Sequence, residues 1–389
     1  MVENNIKPFM SLISMVKLSL LFSDIEAGAG TPTDDFIEEE LFCNTIKKLI
    51  KDSKAQPTDL ILNGDTFDFL KAPYGHIYPR HVTQKVSIAK LDAIITAHPK
   101  FFSTFANFLK ASKTNRIVFI VGNHDYDIIY PKVQRKLRSI LTKGLDNPKK
   151  RVEFSGFEFT DGLLHVEHGS QLDAFFRVNP KTFVHPGTKW LTEPFLLLPW
   201  GVNALYDVVI HIKERYPLME RLYPKEATLS KISWKFKKEL VLEMVLLFMK
   251  SFFITQFSER HDPLRRFRFA DLWLYLKPFF AMSFHLNFLT EARKKLKKNN
   301  YQVISVGHNH TSSIYKVHGK TILNTGNWRD EYFYSSEVDA FLPKLKSYGY
   351  VLHEKNKILS CELREVGSKQ NAIFAQDLTE EALASRRLI

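Results

Sequence analysis

Arg116 to Asp125 reads RIVFIVGNHD, a short apolar run followed at once by a glycine, an amide, an imidazole and a carboxylate. Ile117 to Val121 is too short for a helix and rich in β-branched residues, which marks a strand buried on both faces. Polar side chains just beyond such a strand stand at the carboxyl edge of an open α/β sheet, where these folds place their ligands. The arrangement recurs along the chain. Val16 to Phe22 ends in Ser23-Asp24-Ile25-Glu26, and Leu60-Ile61-Leu62 ends in Asn63-Gly64-Asp65. Leu163 to Glu167 ends in His168-Gly169, and Val303 to Val306 ends in Gly307-His308-Asn309-His310.

The segments between these strands are helical in period. Asp34 to Lys51 (DDFIEEELFCNTIKKLIK) predicts a helix with acids in its first turns and lysines at its end, as the helix dipole prefers. Val82 to Ala111 contains helix as well. Strands alternating with helices imply a largely parallel α/β sheet. Val152 to Phe159 and Leu163 to Glu167 predict a hairpin across Thr160-Asp161-Gly162. Ser312 to Lys316 and Thr321 to Asn324 predict another around His318-Gly319, and Tyr348 to Leu352 with Ile358 to Glu362 a final pair. The tail after Gly367 reads as loosely ordered. Three parts follow: a core over 1–172, a mostly helical insertion over 173–289, and the rest of the core with the tail over 290–389.

At 389 residues, 44% hydrophobic and 25% charged, the chain has a globular composition, which excludes a low-complexity or disordered polymer. Cys43 and Cys361 match no metal-ligand spacing and read as free thiols in a reducing, cytoplasmic setting. Met10 to Phe22 resembles a signal peptide in hydropathy, but it contains Lys17, lacks a small-residue cleavage site and runs straight into Ser23-Asp24; it reads as a buried first strand. The net charge of +13 points to an anionic substrate, nucleic acid or an anionic membrane surface without choosing among them.

Taken in order, GDTFD (Gly64 to Asp68), GNHD (Gly122 to Asp125), the lone His168 and GHNH (Gly307 to His310) resemble the motifs of the calcineurin-like metallophosphoesterases. That family also begins with D-x-H, where this chain has Asp24-Ile25-Glu26. The resemblance implies a four-layered α/β/β/α sandwich, here carrying a helical cap, and a hydrolase that uses two divalent ions, manganese first, with iron, zinc or magnesium as alternatives. It implies Asp65 as the ligand shared by both ions. Asp24, Glu26 and His310 would complete one metal, and Asn123, His168 and His308 the other. His124 would face the leaving-group oxygen as general acid, with Asp68 orienting it. Two ions roughly 3.5–4 Å apart can clamp a phosphoryl group and activate water between them. Carboxylate, amide oxygen and imidazole suit such ions, and glutamate in place of histidine shifts preference toward harder ones. Asp125 and Asp127 read as loop carboxylates, His165 as a packed histidine, and Asn324 to Trp328 as a loop supporting the site.

Phe69-Leu70 after Asp68 departs from the G-D-x-V-D-R-G of the protein phosphatases. G-D-x-F-D, and HGSQLD over His168 to Asp173, are similar to the branch that cleaves UDP-2,3-diacylglucosamine, although that branch carries Arg in place of His124 and His in place of Glu26. About 140 residues separate His168 from His308, far more than a loop needs. Leu240 to Phe257 and Leu272 to Phe288 are apolar but interrupted by Glu243, Lys250 and Lys277, so neither is a clean membrane span. With the basic clusters at Lys235 to Lys238, Arg265 to Arg268 and Arg293 to Lys298, they suit a cap that meets a lipid-linked or nucleotide-linked phosphate and touches a membrane peripherally. Two other readings stay open: a nucleic-acid phosphodiesterase using the basic surface, and a binding protein whose site is weakened at Glu26.

Overall fold

The computed structural model describes residues 16–53, 56–173, 176–199, 202–203, 208–254, 257, 261–265 and 284–385. Two mixed sheets carry the architecture. The first has the order β16-β15-β1-β2-β3-β4, from β1 (Lys17–Phe22), β2 (Thr58–Asn63), β3 (Arg116–Ile120), β4 (Val152–Phe154), β15 (Lys346–Glu354) and β16 (Lys357–Val366). Strands β1 to β4 run parallel, and β15 returns antiparallel beside β1. The second has the order β11-β12-β10-β6-β5, from β5 (Glu158–Asp161), β6 (Leu164–Glu167), β10 (Val303–Val306), β11 (Ser312–Val317) and β12 (Lys320–Thr325). Its three central strands, β6, β10 and β12, are parallel.

The alternation of side chains across each strand explains the layers. In β1, Leu18, Leu20 and Phe22 face outward onto helices α1 (Glu39–Asp52) and α3 (Pro99–Ala111), which bury Phe42, Ile46, Phe101 and Phe105 there. Leu21 of the same strand faces inward. It joins Ile61, Val118, Val166, Val303 and Leu323 in an apolar layer between the two sheets. On the far side, Ala292 and Leu296 of the helix Phe284–Lys298 cover Ile304, Val306 and Ile322. Helix, sheet, sheet and helix thus form the four layers of the α/β/β/α sandwich. Each fully buried Leu, Ile or Phe contributes about 1.5–3 kcal/mol, so the three apolar layers dominate its stability.

Three local expectations change. Helix α1 begins at Glu39, not Asp34, because Asp34 and Asp35 are buried before it and take tertiary partners. Val152 to Phe159 is divided between sheets: β4 pairs with β3 in the first, and β5 pairs with β6 in the second. A single apolar run does not reveal which sheet each half joins. The tail after Gly367 packs on the fold, with Ile373, Leu378 and Leu383 buried against Leu222, Phe236 and Phe341.

Within 173–289, Phe183, Leu196, Leu198 and Val202 pack into the main core. The segments Val209–Arg215, Pro217–Arg221, Lys225–Lys231 and Trp234–Phe253 are helical. Leu222–Tyr223 pairs in parallel with Tyr332–Ser335, just beyond the β12 loop. Residues 266–283 lie outside the described residues, and with them most of the apolar stretch Leu272 to Phe288 and the cluster Arg266 to Arg268. Among the described residues no helix is long and apolar enough to cross a membrane. Cys43 and Cys361 are free thiols.

Candidate metal centre

The carboxyl ends of β1, β2 and β3 meet those of β6 and β10 at one edge of the sandwich. There the backbone is driven into conformations that non-glycine residues rarely take. Asp24, Glu26, Asp65, His308 and His310 all have positive φ, between 49° and 70°. Such outliers cost on the order of 1–3 kcal/mol each and persist only where the surroundings over-determine them. The glycines beside them are needed for close approach. A Cβ on Gly64 would lie 2.4 Å from His168 Cγ, and one on Gly122 would lie 2.1 Å from Asp65 Oδ1.

Four of the expected ligands converge. His168 Nε2 lies 3.0 Å from Asp65 Oδ2 and 3.2 Å from Asn123 Oδ1. His308 Nδ1 lies 2.8 Å from the same Asn123 oxygen. The outer nitrogens of both rings are engaged elsewhere. His168 Nδ1 donates to the Asn63 carbonyl at 2.9 Å, and His308 Nε2 donates to Asp173 Oδ2 at 3.1 Å. These contacts turn His168 Nε2 and His308 Nδ1 toward the shared centre, as second partners do around ligating histidines. Ligand atoms of Asp65, His168 and His308 all lie within 4.8 Å of one another. The set of carboxylate, amide oxygen and two imidazoles fits a divalent ion.

The carboxylates of this centre face histidines. Asp24 and Asp65 are buried, and among the described residues neither is ion-paired to a lysine or arginine. Asp24 Oδ2 accepts the His308 backbone N–H at 3.1 Å, while its buried Oδ1 makes no hydrogen bond. The histidines respond. Burial opposes a charge on His168, yet Asp65 and Asp24 outweigh it and push the ring up to about 10. His310 is also pushed up to about 10, against burial, by Glu331 and Asp24.

His124 stands beside this group. Its Nδ1 donates to Asp68 Oδ1 at 3.0 Å, which leaves Nε2 as the free ring atom. Burial disfavours its charge, but Glu26, Asp68 and Asp65 push it up to about 9. Asp125 braces the loops instead, accepting from Gly122 N at 2.6 Å and Thr66 N at 2.8 Å; burial and the Asp65 carboxylate push it up to about 7. Asp127 accepts from Ser87 Oγ at 2.6 Å. His165 is buried, stacked on Tyr301 with ring centroids 4.5 Å apart. Trp328 and Arg329 donate their backbone N–H groups to the Asp24 carbonyl, so the loop after β12 holds the end of β1.

The remaining expected ligands are arranged differently. Both Glu26 oxygens are taken by protein cations: Arg329 Nη1 donates to them at 3.1 and 3.0 Å, and Lys71 Nζ to Oε2 at 2.9 Å. His310 Nδ1 donates to Glu331 Oε1 at 2.6 Å. Its Nε2 lies 3.4 Å from Asp24 Oδ1 and 3.6 Å from Glu26 Oε1. Lys71, Arg329 and Glu331 carry no strand-end motif, and only the position of Arg329-Asp330-Glu331 directly after Asn327-Trp328 could have drawn notice. Asp35, Lys213, Glu220 and Arg221 complete the buried cluster, the last three from the 173–289 segment.

No family model matches the chain, and no curated protein matches it. Among solved structures it resembles a single mutant of Vps29 from Entamoeba histolytica at 10% identity, over 90% of this chain and 99% of that one, with a TM-score of 0.25. It also resembles a putative 5'-nucleotidase from Staphylococcus aureus in complex with alpha-ketoglutarate (10% identity, 95% and 57% covered, TM-score 0.35). A third likeness is the phosphopantetheinyl hydrolase of Mycobacterium tuberculosis (12%, 81% and 91%, TM-score 0.25). At these scores the likenesses say nothing about activity.

Proposed function

We propose that the chain is a metal-dependent hydrolase of phosphoester or pyrophosphate bonds. The convergence of Asp65, Asn123, His168 and His308, next to the His124–Asp68 pair, carries this reading. Those four residues would hold a divalent ion, which would supply Lewis-acid polarisation of a phosphoryl oxygen and would lower the pKa of a bound water toward neutrality. The donor set suits manganese, iron or zinc. The chain's own part lies with His124. Asp68 fixes its ring through Nδ1, so Nε2 can give a proton to the leaving oxygen as the phosphorus–oxygen bond breaks. The attacking water keeps its oxygen on phosphorus, and no covalent enzyme intermediate is needed.

The favoured substrate is a lipid-linked or nucleotide-linked phosphate, such as a UDP-diacylglucosamine-like molecule. Two observations support it. The 173–289 segment reaches the site through Lys213, Glu220 and Arg221. Its helix Trp234–Phe253 buries Phe236 and Leu240 while Val241, Leu242, Val245 and Leu246 are more than half exposed. With Lys235, Lys237 and Lys238 at one end, that face suits the boundary of an anionic bilayer.

Hydrolysis of bis-p-nitrophenyl phosphate with added manganese tests the chemistry. Activity abolished in Asp65→Ala and strongly reduced in His124→Ala is the expected result; inactivity with every divalent ion would sink the proposal. Co-sedimentation with anionic vesicles, lost in a Leu242→Glu/Leu246→Glu variant, tests the surface. Equal binding to neutral and anionic vesicles, or none, argues against it.

A further inference from the structure

Glu26 is the position at which the two-ion expectation and the structure part. A metal ligand must offer an oxygen lone pair toward the ion, and Glu26 offers both of its oxygens to Arg329 and one of them to Lys71 as well. All three side chains are at most 3% exposed. Neither cation is free to leave. Lys71 Nζ also lies 2.8 Å from Asp68 Oδ2 and 3.2 Å from Asp35 Oδ2. Arg329 Nη2 lies 3.0 Å from Asp35 Oδ2 and 3.4 Å from Glu220 Oε1. Lys213 pairs with Asp35 and Glu220, and Arg221 Nε lies 2.7 Å from Asp35 Oδ1.

Counted by charge, Glu26, Asp35, Asp68 and Glu220 face Lys71, Lys213, Arg221 and Arg329, four against four. In this half of the site these four cations already match these four carboxylates. Ligand atoms of Glu26, Asp68 and His124 also lie within 4.8 Å of one another, but the Lys71 ammonium already sits on both carboxylates. A divalent ion binding Glu26 would have to pull that carboxylate off two buried cations and leave their cluster one negative charge short, the costly way to break into a buried ion-pair network. The other half differs. Asp24 and Asp65 contribute two negative charges with no lysine or arginine paired to them among the described residues.

We infer that this centre binds one divalent ion, held by Asp65, Asn123, His168 and His308, and that Arg329 and Lys71 take the Glu26 carboxylate a second ion would need. The inference rests on the metal-dependent reading above. The positive charge a second ion would bring is thereby built into the chain. Part of it comes from the 173–289 segment, so the charge of the centre depends on the docking of that segment.

The test is ion stoichiometry on the full chain, stripped with chelator and reloaded with manganese. Elemental analysis and titration calorimetry should give one ion per chain, with an EPR signal free of manganese–manganese coupling. His308→Ala should lose that ion. Glu26→Gln should still load one ion per chain, because Glu26 is not a ligand. An Arg329→Met/Lys71→Met double variant, should it fold, is expected to accept a second ion. Two ions per wild-type chain with a coupled signal would overturn this inference and leave the hydrolase reading standing. No ion at any concentration tested would overturn both.

Discussion

Arg329 Nη1 lies 3.1 and 3.0 Å from the two carboxylate oxygens of Glu26, a residue 303 positions earlier in the chain, and both side chains are buried. The pair ties the loop after β12 to the end of β1 from within the site. Removing one partner of such a pair leaves an uncompensated buried charge, whereas removing both leaves none. Arg329→Met should therefore cost about 3–5 kcal/mol of stability. Glu26→Gln combined with Arg329→Met should cost clearly less than the sum of the single changes. Urea unfolding of the four proteins measures this coupling, and strict additivity would show that the pair contributes no interaction energy.

For catalysis, His124→Ala should lower kcat on a phosphodiester by about 10²–10⁴-fold, the range for loss of a positioned acid. Asp68→Asn should lower kcat by a smaller factor with KM little changed, since Asp68 acts through the ring of His124, which it holds at Nδ1. Steady-state kinetics on both variants separate the roles. A drop confined to KM in either one would place these residues in binding instead.

Ion binding should release protons. The His168 ring is pushed up to about 10 against burial by Asp65 and Asp24, so at neutral pH it is protonated, yet it can ligate only when neutral. Affinity should therefore rise with pH between about 6 and 9. The calorimetric enthalpy at fixed pH should vary with the ionisation enthalpy of the buffer. An enthalpy independent of buffer would show that no proton leaves.

His98 should give stability a pH dependence of its own, away from the metal centre. Its Nε2 donates to Asp34 Oδ2 at 2.8 Å; burial opposes the charge, but Asp34 and Glu39 push the ring up to about 9. A folded value raised above the unfolded one stabilises fully below about pH 6.5 and loses that contribution as pH climbs through 9. His98→Gln should thus cost roughly 2–3 kcal/mol more at pH 6 than at pH 10. Thermal melts of both proteins across that range check the sign.

The strands bearing the site were legible because burial on both faces writes a short β-branched run, and because glycine must stand where the chain turns sharply past a ligand. Asp24, Asp65, Asn123, His168, His308 and His310 could each be named from such strand ends. Less legible were Asp34 and Asp35. Read as the acidic first turn of a helix, they precede it, and Asp35 accepts from Arg221 Nε at 2.7 Å. The tail after Gly367 looked unstructured because its apolar residues are sparse, yet Leu378 and Leu383 fill a pocket made by residues far away in sequence.

By itself the sequence determined the order of strands and helices along the chain, their α/β class and the polar side chains at the strand ends, while the four layers followed from the family resemblance. The elements and their polar ends depend on periods of two and 3.6 residues and on glycine placement, all of which operate within a few residues. Only the tertiary structure decided what Glu26 does. The partners of a buried carboxylate are chosen by proximity across hundreds of residues, and no local pattern records that Lys71, Arg329 and the 173–289 segment would supply the cations around it.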